Sequence, residues 1–101
     1  MNSKAYCIEW RPMAREDFLA IVRNIAKDNP FRAKSLAEEL RDKTKSLKDN
    51  PLLGKHGRPG LPEWLRELVV HPNYIVFYRA LAESGKVEIL RVKHAAQQTP
   101  R

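Results

Sequence analysis

Between Asp49 and Pro62 the chain places Pro51, Pro59 and Pro62 together with Gly54, Gly57 and Gly60, six of fourteen positions. No helix interior or central strand tolerates that density, because proline removes a backbone donor and glycine raises the entropy lost on ordering. The segment reads as a loop, and it divides the chain into two parts with different hydrophobic periods.

Before the loop the pattern is mostly helical. Ala5 to Trp10 alternates, with Tyr6, Ile8 and Trp10 on one side and Cys7 and Glu9 on the other, which predicts a strand. Pro12 then suits a first helical turn, where its missing N–H costs nothing. Phe18, Ile21, Val22 and Ile25 recur three and four apart and predict a helix to about Lys27. Asp28, Asn29 and Pro30 combine a turn, a cap and a helix-starting proline, so a second helix begins there. It carries Phe31, Ala33, Leu36, Ala37, Leu40, Thr44 and Leu47 on its predicted apolar face. A tight connector makes the two helices an antiparallel hairpin.

After the loop the period is two. Leu68 and Val70, then Tyr74, Val76 and Tyr78, then Val87 and Ile89 predict three strands rich in β-branched and aromatic residues. His71, Pro72 and Asn73 form one turn, and Glu83, Ser84 and Gly85 the other, with Gly85 free to take positive φ. The first strand must join this meander. The expectation is an α+β fold of order βααβββ, a helical hairpin on one face of a small, mostly antiparallel four-stranded sheet. At 101 residues the chain forms one domain spanning 1–101, and no repeat is visible.

Several classes are excluded by composition. No unbroken apolar run exceeds five residues, as in Tyr74–Tyr78, against the roughly 20 that a spanning helix needs. No membrane partner is expected. Glu9 and Arg11 interrupt the start before an apolar signal region can form, so a cytoplasmic protein is expected. Cys7 stands alone, which excludes an internal disulfide and CxxC chemistry, and it is expected to pack in the core. His56, His71 and His94 lack metal-ligand spacing, so no metal or other cofactor is expected. Ser3, Ser35, Ser46 and Ser84 fall in the N-terminal segment, helices and a turn, which leaves a hydrolytic triad unsupported.

A net charge of +7 points instead to an anionic partner, nucleic acid or acidic protein. Lys55, His56 and Arg58 in the loop, with Arg66 just beyond, can engage phosphates or carboxylates. The loop has neither the GK[ST] ending nor the preceding strand that nucleotide cradles require. Arg66, Arg79 and Arg91 fall on different strands about 5 Å apart, so their guanidiniums can gather on the uncovered side of the sheet. Like charges held together imply a ligand that offsets their repulsion. The competing expectation is pairing within the chain, Arg66 with Glu88 and Arg91 with Glu67. Arg79 follows the apolar run and needs a partner of some kind. His94 ends the last strand and can act as acid or base near neutrality. Most aromatics, Phe31 among them, are expected in the core; Trp64, beside Pro62 and Glu63, is expected to be exposed and to suit a partner surface.

The element order, the Asp28–Pro30 break, the loop PLLGKHGRPGLPEWL, the strands RELVVHPNYIVFYRA and the ending VEILRVKHAAQQTP together resemble the RelE/ParE superfamily of type II toxin–antitoxin toxins. The likeness is strongest to the ParE, or plasmid-stabilisation, branch. It spans nearly the whole chain and is densest from Gly57 to Pro100, departing at Thr99, where relatives carry an aromatic residue. The resemblance implies a growth-inhibiting toxin in a hetero-oligomer with a cognate antitoxin that neutralises it. ParE-like toxins poison DNA gyrase, whereas RelE-like toxins cut mRNA on the ribosome. Arg58, Arg66, Arg79 and His94 are the candidate catalytic residues of a nuclease. A second proton-transfer group is unassigned, because Ala95–Arg101 offers only amides, Thr99, Pro100 and Arg101. Gyrase binding is therefore the favoured expectation and ribosome-dependent mRNA cleavage the alternative. Lys55, Arg58, Trp64, Arg66, Arg79, Arg91 and His94 are the candidate binding residues for antitoxin or target.

Overall fold

A computed structural model describes residues 5–56 and 59–95. The elements run β1 (Cys7–Trp10), α1 (Pro12–Ala26), α2 (Pro30–Lys45) with a short 3₁₀ turn at Ser46–Lys48, β2 (Lys55–His56), β3 (Arg66–His71), β4 (Tyr74–Leu81) and β5 (Lys86–His94). The sheet has the order β1-β5-β4-β3-β2. All its pairs are antiparallel except β1 with β5. The α+β architecture is as the sequence predicts, with one addition. Lys55 and His56, inside the Gly/Pro segment, pair with Glu67 and Arg66 as a fifth strand. Two residues at a sheet edge need few ladder bonds, so this segment tolerates a strand there.

The helix break forms as its residues require. Pro30 occupies the first turn of α2, and the Asn29 side chain accepts a hydrogen bond from the Arg32 amide at 3.1 Å. Gly85 takes φ +63° in the β4–β5 turn. Both helices lie on one face of the sheet. Ala14, Leu36 and Leu40 pack with Val70, Val76, Tyr78, Val87, Ile89 and Val92 in the core. Each large aliphatic chain buried there contributes about 1.5–3 kcal/mol relative to exposure.

Two core expectations are overturned. Cys7 is exposed, because the same alternation that turns Tyr6, Ile8 and Trp10 toward the helices turns Cys7 away. Phe31 is 87% exposed. It stands in the first turn of α2, one position after Pro30, and the buried stripe of that helix starts at Ala33. Trp10 and Phe18 meet edge-on at 5.5 Å, and Arg41 lies over the Phe18 ring.

Candidate functional site

The arginines do not gather. Arg66 is in register with Tyr78, so both project from the same face of the sheet, and Arg79, the next residue of β4, projects from the other. The Tyr78 side chain is fully buried and its hydroxyl reaches the Gly/Pro segment. There it accepts from the Gly54 amide at 2.8 Å and donates to the Pro51 carbonyl at 2.9 Å. Burial raises the Tyr78 pKa, against the lowering effects of the Gly54 amide and the Arg66 charge. Arg66 donates to the carbonyl oxygens of Gly54 at 2.7 Å and Leu52 at 3.3 Å. A Cβ on Gly54 would sit 2.7 Å from both the Glu67 carbonyl oxygen and the Tyr78 ring. That glycine is set by close approach, and Arg66 fastens the loop instead of awaiting an anion.

Arg79 has its partner in Glu88, Nε to Oε1 at 2.8 Å. The Arg79 hydrogen bond and charge hold Glu88 below its ordinary pKa of 4.5 despite partial desolvation. The guanidinium also lies 5.2 Å from the centre of the Trp64 ring. Trp64 is 53% exposed, as expected of a residue in a polar loop. The predicted pairing of Glu88 with Arg66 is replaced by one with Arg79, its register partner across β4 and β5.

Arg91 also differs from expectation, pairing with Asp17 of α1 and not with Glu67. Its Nε and a terminal nitrogen donate to the two carboxylate oxygens at 2.7 and 3.1 Å. The cause lies in the lengths of the strands. β1 accompanies β5 only as far as Ile89, leaving the next stretch of that β5 edge without a neighbouring strand among the described residues. The chain turns into α1, and Asp17 accepts from the Val92 amide at 2.9 Å, standing in for the missing strand. Desolvation raises the Asp17 pKa, but Arg91, the Val92 amide and Lys93 outweigh it and hold the carboxyl below 3.8. Asp17 in turn raises the Arg91 pKa.

Between the second half of α1 and the end of β5 lies an open groove of about 620 Å³. Ala20, Ile21 and Val92 line it along with Arg23, Asn24 and Lys27 from the helix and Tyr74, Arg91, Lys93 and His94 from the sheet. Tyr74 and His94 are register partners and their rings meet at 5.3 Å. The His71 ring lies 5.7 Å from Tyr74 on the other side, and its Nδ1 accepts from the Asn73 amide at 3.0 Å. The Ala95 amide donates to the Asn73 carbonyl at 2.7 Å, tying the end of β5 to the β3–β4 turn.

Of the predicted site residues that the structure describes, Arg91 and His94 come together in this groove, and Arg79 meets Trp64 at the other end of the sheet. Lys55 is exposed on β2, at the edge held by Arg66. Arg58, Gln97, Gln98 and Thr99 lie outside the described residues. Asp17, Arg23, Lys27, Tyr74 and Lys93 went unremarked as site residues. Arg23 and Lys27 had one legible sign, like charge one turn apart on the same helix. Asp17 had none, being 74 residues from its partner. Among the described residues no cluster of three or more His, Cys, Asp or Glu is arranged to hold a metal, and no helix is long and apolar enough to cross a membrane.

Residues 8–99 match the family model of the ParE toxin of the type II toxin–antitoxin system parDE. Several solved structures share the fold. The chromosomal ParDE system from P. aeruginosa superposes with TM-score 0.71 at 21% identity, covering 91% of this chain and 98% of that one. The RelBE2 toxin–antitoxin complex from Mycobacterium tuberculosis gives 0.60 at 26% identity, covering 89% and 98%. The isolated E. coli RelE toxin gives 0.63 at 16% identity, covering 90% and 85%. No curated protein matches significantly.

Proposed function

The chain belongs to the ParE toxin family of type II toxin–antitoxin systems, and from that premise we propose that it arrests growth by binding and poisoning DNA gyrase in the cytoplasm, neutralised by a cognate antitoxin. The observation that carries this reading is the dispersal of the described candidate nuclease residues, Arg66, Arg79 and His94. Cutting RNA through its own 2′-hydroxyl needs a base, an acid and cations around one phosphate. Arg66 is committed to two carbonyls and Arg79 to Glu88. Along β4, the register partner of Arg66 is four residues from that of His94, about 13 Å of strand.

A toxin that acts by binding needs no such convergence. The exposed Trp64, braced by Arg79, suits a protein target. The structural relatives include ParDE and RelBE complexes of toxin with antitoxin. A basic body suits an acidic antitoxin that folds as it binds. A plasmid-stabilising role follows if the module is carried on a plasmid.

One observation favours ribosome-dependent mRNA cleavage as the second reading: Tyr74 stands beside His94 in a groove that also holds Arg91 and Lys93. A tyrosine and a histidine supply two groups able to move protons, although Arg91 is already bound to Asp17. The deciding experiment sets purified protein against gyrase in a supercoiling assay and against ribosomes in a translation assay. Inhibited supercoiling with accumulation of cleaved DNA is expected. Codon-positioned mRNA cuts that vanish in His94→Ala would establish the second reading instead. Co-expression with the product of the adjacent gene, expected to be short and acidic, should restore growth.

A further inference from the structure

The groove between α1 and β5 carries more positive charge than its one acid, Asp17, can neutralise. Arg23, Lys27 and Lys93 line it and none makes an ion pair within 4 Å among the described residues. Arg23 in the last turn of α1 and Lys27 at its C-cap are four residues apart, about 5–6 Å between Cβ atoms in helical geometry, a spacing at which like charges repel. Their place near the helix C-terminus offsets part of that cost. It does nothing for Lys93, which faces them from β5. The chain's one acid in the groove, Asp17, is fully engaged by the Arg91 fork and the Val92 amide.

We propose that this groove is a binding site for phosphate esters, an inference that does not rest on the gyrase reading. The chemistry favours phosphate over carboxylate. A guanidinium fork serves carboxylate and phosphate alike, and that of Arg91 is already occupied by Asp17. What remains is an arginine and two lysines on long stems, converging from two elements on one concavity. A tetrahedral group with several acceptor oxygens can engage all three at once, which a single carboxylate cannot. The rest of the lining suits what a phosphate is esterified to: Ala20, Ile21 and Val92 present apolar surface, Tyr74 and His94 present rings, and Asn24 offers an amide. A volume of about 620 Å³ accommodates one nucleotide unit with its phosphates. The unit can be a free nucleotide or part of a nucleic-acid strand, since both present the same phosphate and sugar.

The test is a binding titration of the purified chain with three probes: pyrophosphate, ADP and a short labelled single-stranded DNA. The variant Arg23→Ala/Lys27→Ala changes two exposed side chains and leaves the core and the Asp17–Arg91 pair intact. A control, Lys34→Ala/Lys45→Ala, removes the same charge from exposed positions of α2. The expected result is binding of at least one probe that weakens about tenfold in the groove variant, with the salt slope for single-stranded DNA falling by about 1.4, and little change in the control. Displacement of DNA by ADP or pyrophosphate supports a shared phosphate site. Binding of ADP without DNA assigns the site to free nucleotides, and the reverse assigns it to a strand. Equal losses in the two variants, or no binding of any probe, would overturn the proposal. So would a polyglutamate peptide that displaces the probes at lower concentration than they bind.

Discussion

At the end of the sheet where β2 meets β3, cations are fastened: Arg66 to two carbonyls, Arg79 to Glu88 and the Trp64 ring. Toward the other end of β4 and β5, along α1, Arg23, Lys27 and Lys93 face one groove whose single acid, Asp17, is held by Arg91. The residue types are alike, yet their roles are opposite. A guanidinium that completes the hydrogen bonding of a loop is part of the scaffold, and removing it costs stability. A cation with no internal partner costs the fold little when removed, and its effect falls on whatever binds there.

The contrast can be broken by measuring stability across both regions. The largest loss is expected for Gly54→Ala, whose new Cβ would press on the Glu67 carbonyl and the Tyr78 ring. We expect about 3 kcal/mol in urea unfolding. A loss below about 0.5 kcal/mol would show that the loop is not tightly fixed. Tyr78→Phe should follow at about 1–3 kcal/mol, since it strands the Gly54 amide and the Pro51 carbonyl.

Asp17→Asn, between the two regions in character, should cost about 1–2 kcal/mol after allowance for solvent screening of a part-exposed pair. Its pH signature is specific. Asp17 and Glu88 have folded pKa values below their ordinary 3.8 and 4.5. The stability they supply is therefore complete above about pH 4.5 and is lost as pH falls through the depressed values. Acid unfolding of Asp17→Asn should be shallower than that of the parent. Arg79→Ala should cost less than about 1 kcal/mol, because the pair is part-exposed, and should change Trp64 fluorescence as the cation leaves the ring. It should also weaken antitoxin or target binding by about 1–3 kcal/mol; unchanged affinity would leave Arg79 a purely structural residue. The smallest effect is expected for Arg23→Ala/Lys27→Ala, within about 0.5 kcal/mol of the parent. A large loss there would return the groove cations to the scaffold.

Elements whose cause is local were legible before any coordinates. The Asn29 cap with Pro30, the alternation in β3 to β5 and the positive φ of Gly85 each depend on a few neighbouring residues. The β2 strand was hidden because its two residues pair through backbone alone, within a segment whose composition argues for a loop. The partners of the arginines were hidden for a different reason. Which acid meets Arg91 depends on β1 ending at Ile89 of its neighbour and on the path of α1 beyond it. Pairing by analogy with cross-strand neighbours could not anticipate a carboxylate from a helix. The groove cations looked like an ordinary solvated helix face, and only the placement of Lys93 opposite them gives them a common purpose.

The parallel pairing of β1 with β5 joins residues 7–10 to residues 86–89. During synthesis, β1 and α1 leave the ribosome long before the strand that lies beside them exists, so they wait in an unfinished chain. Folding must therefore follow translation of β5, and an antitoxin present at that moment meets the toxin before or as it matures.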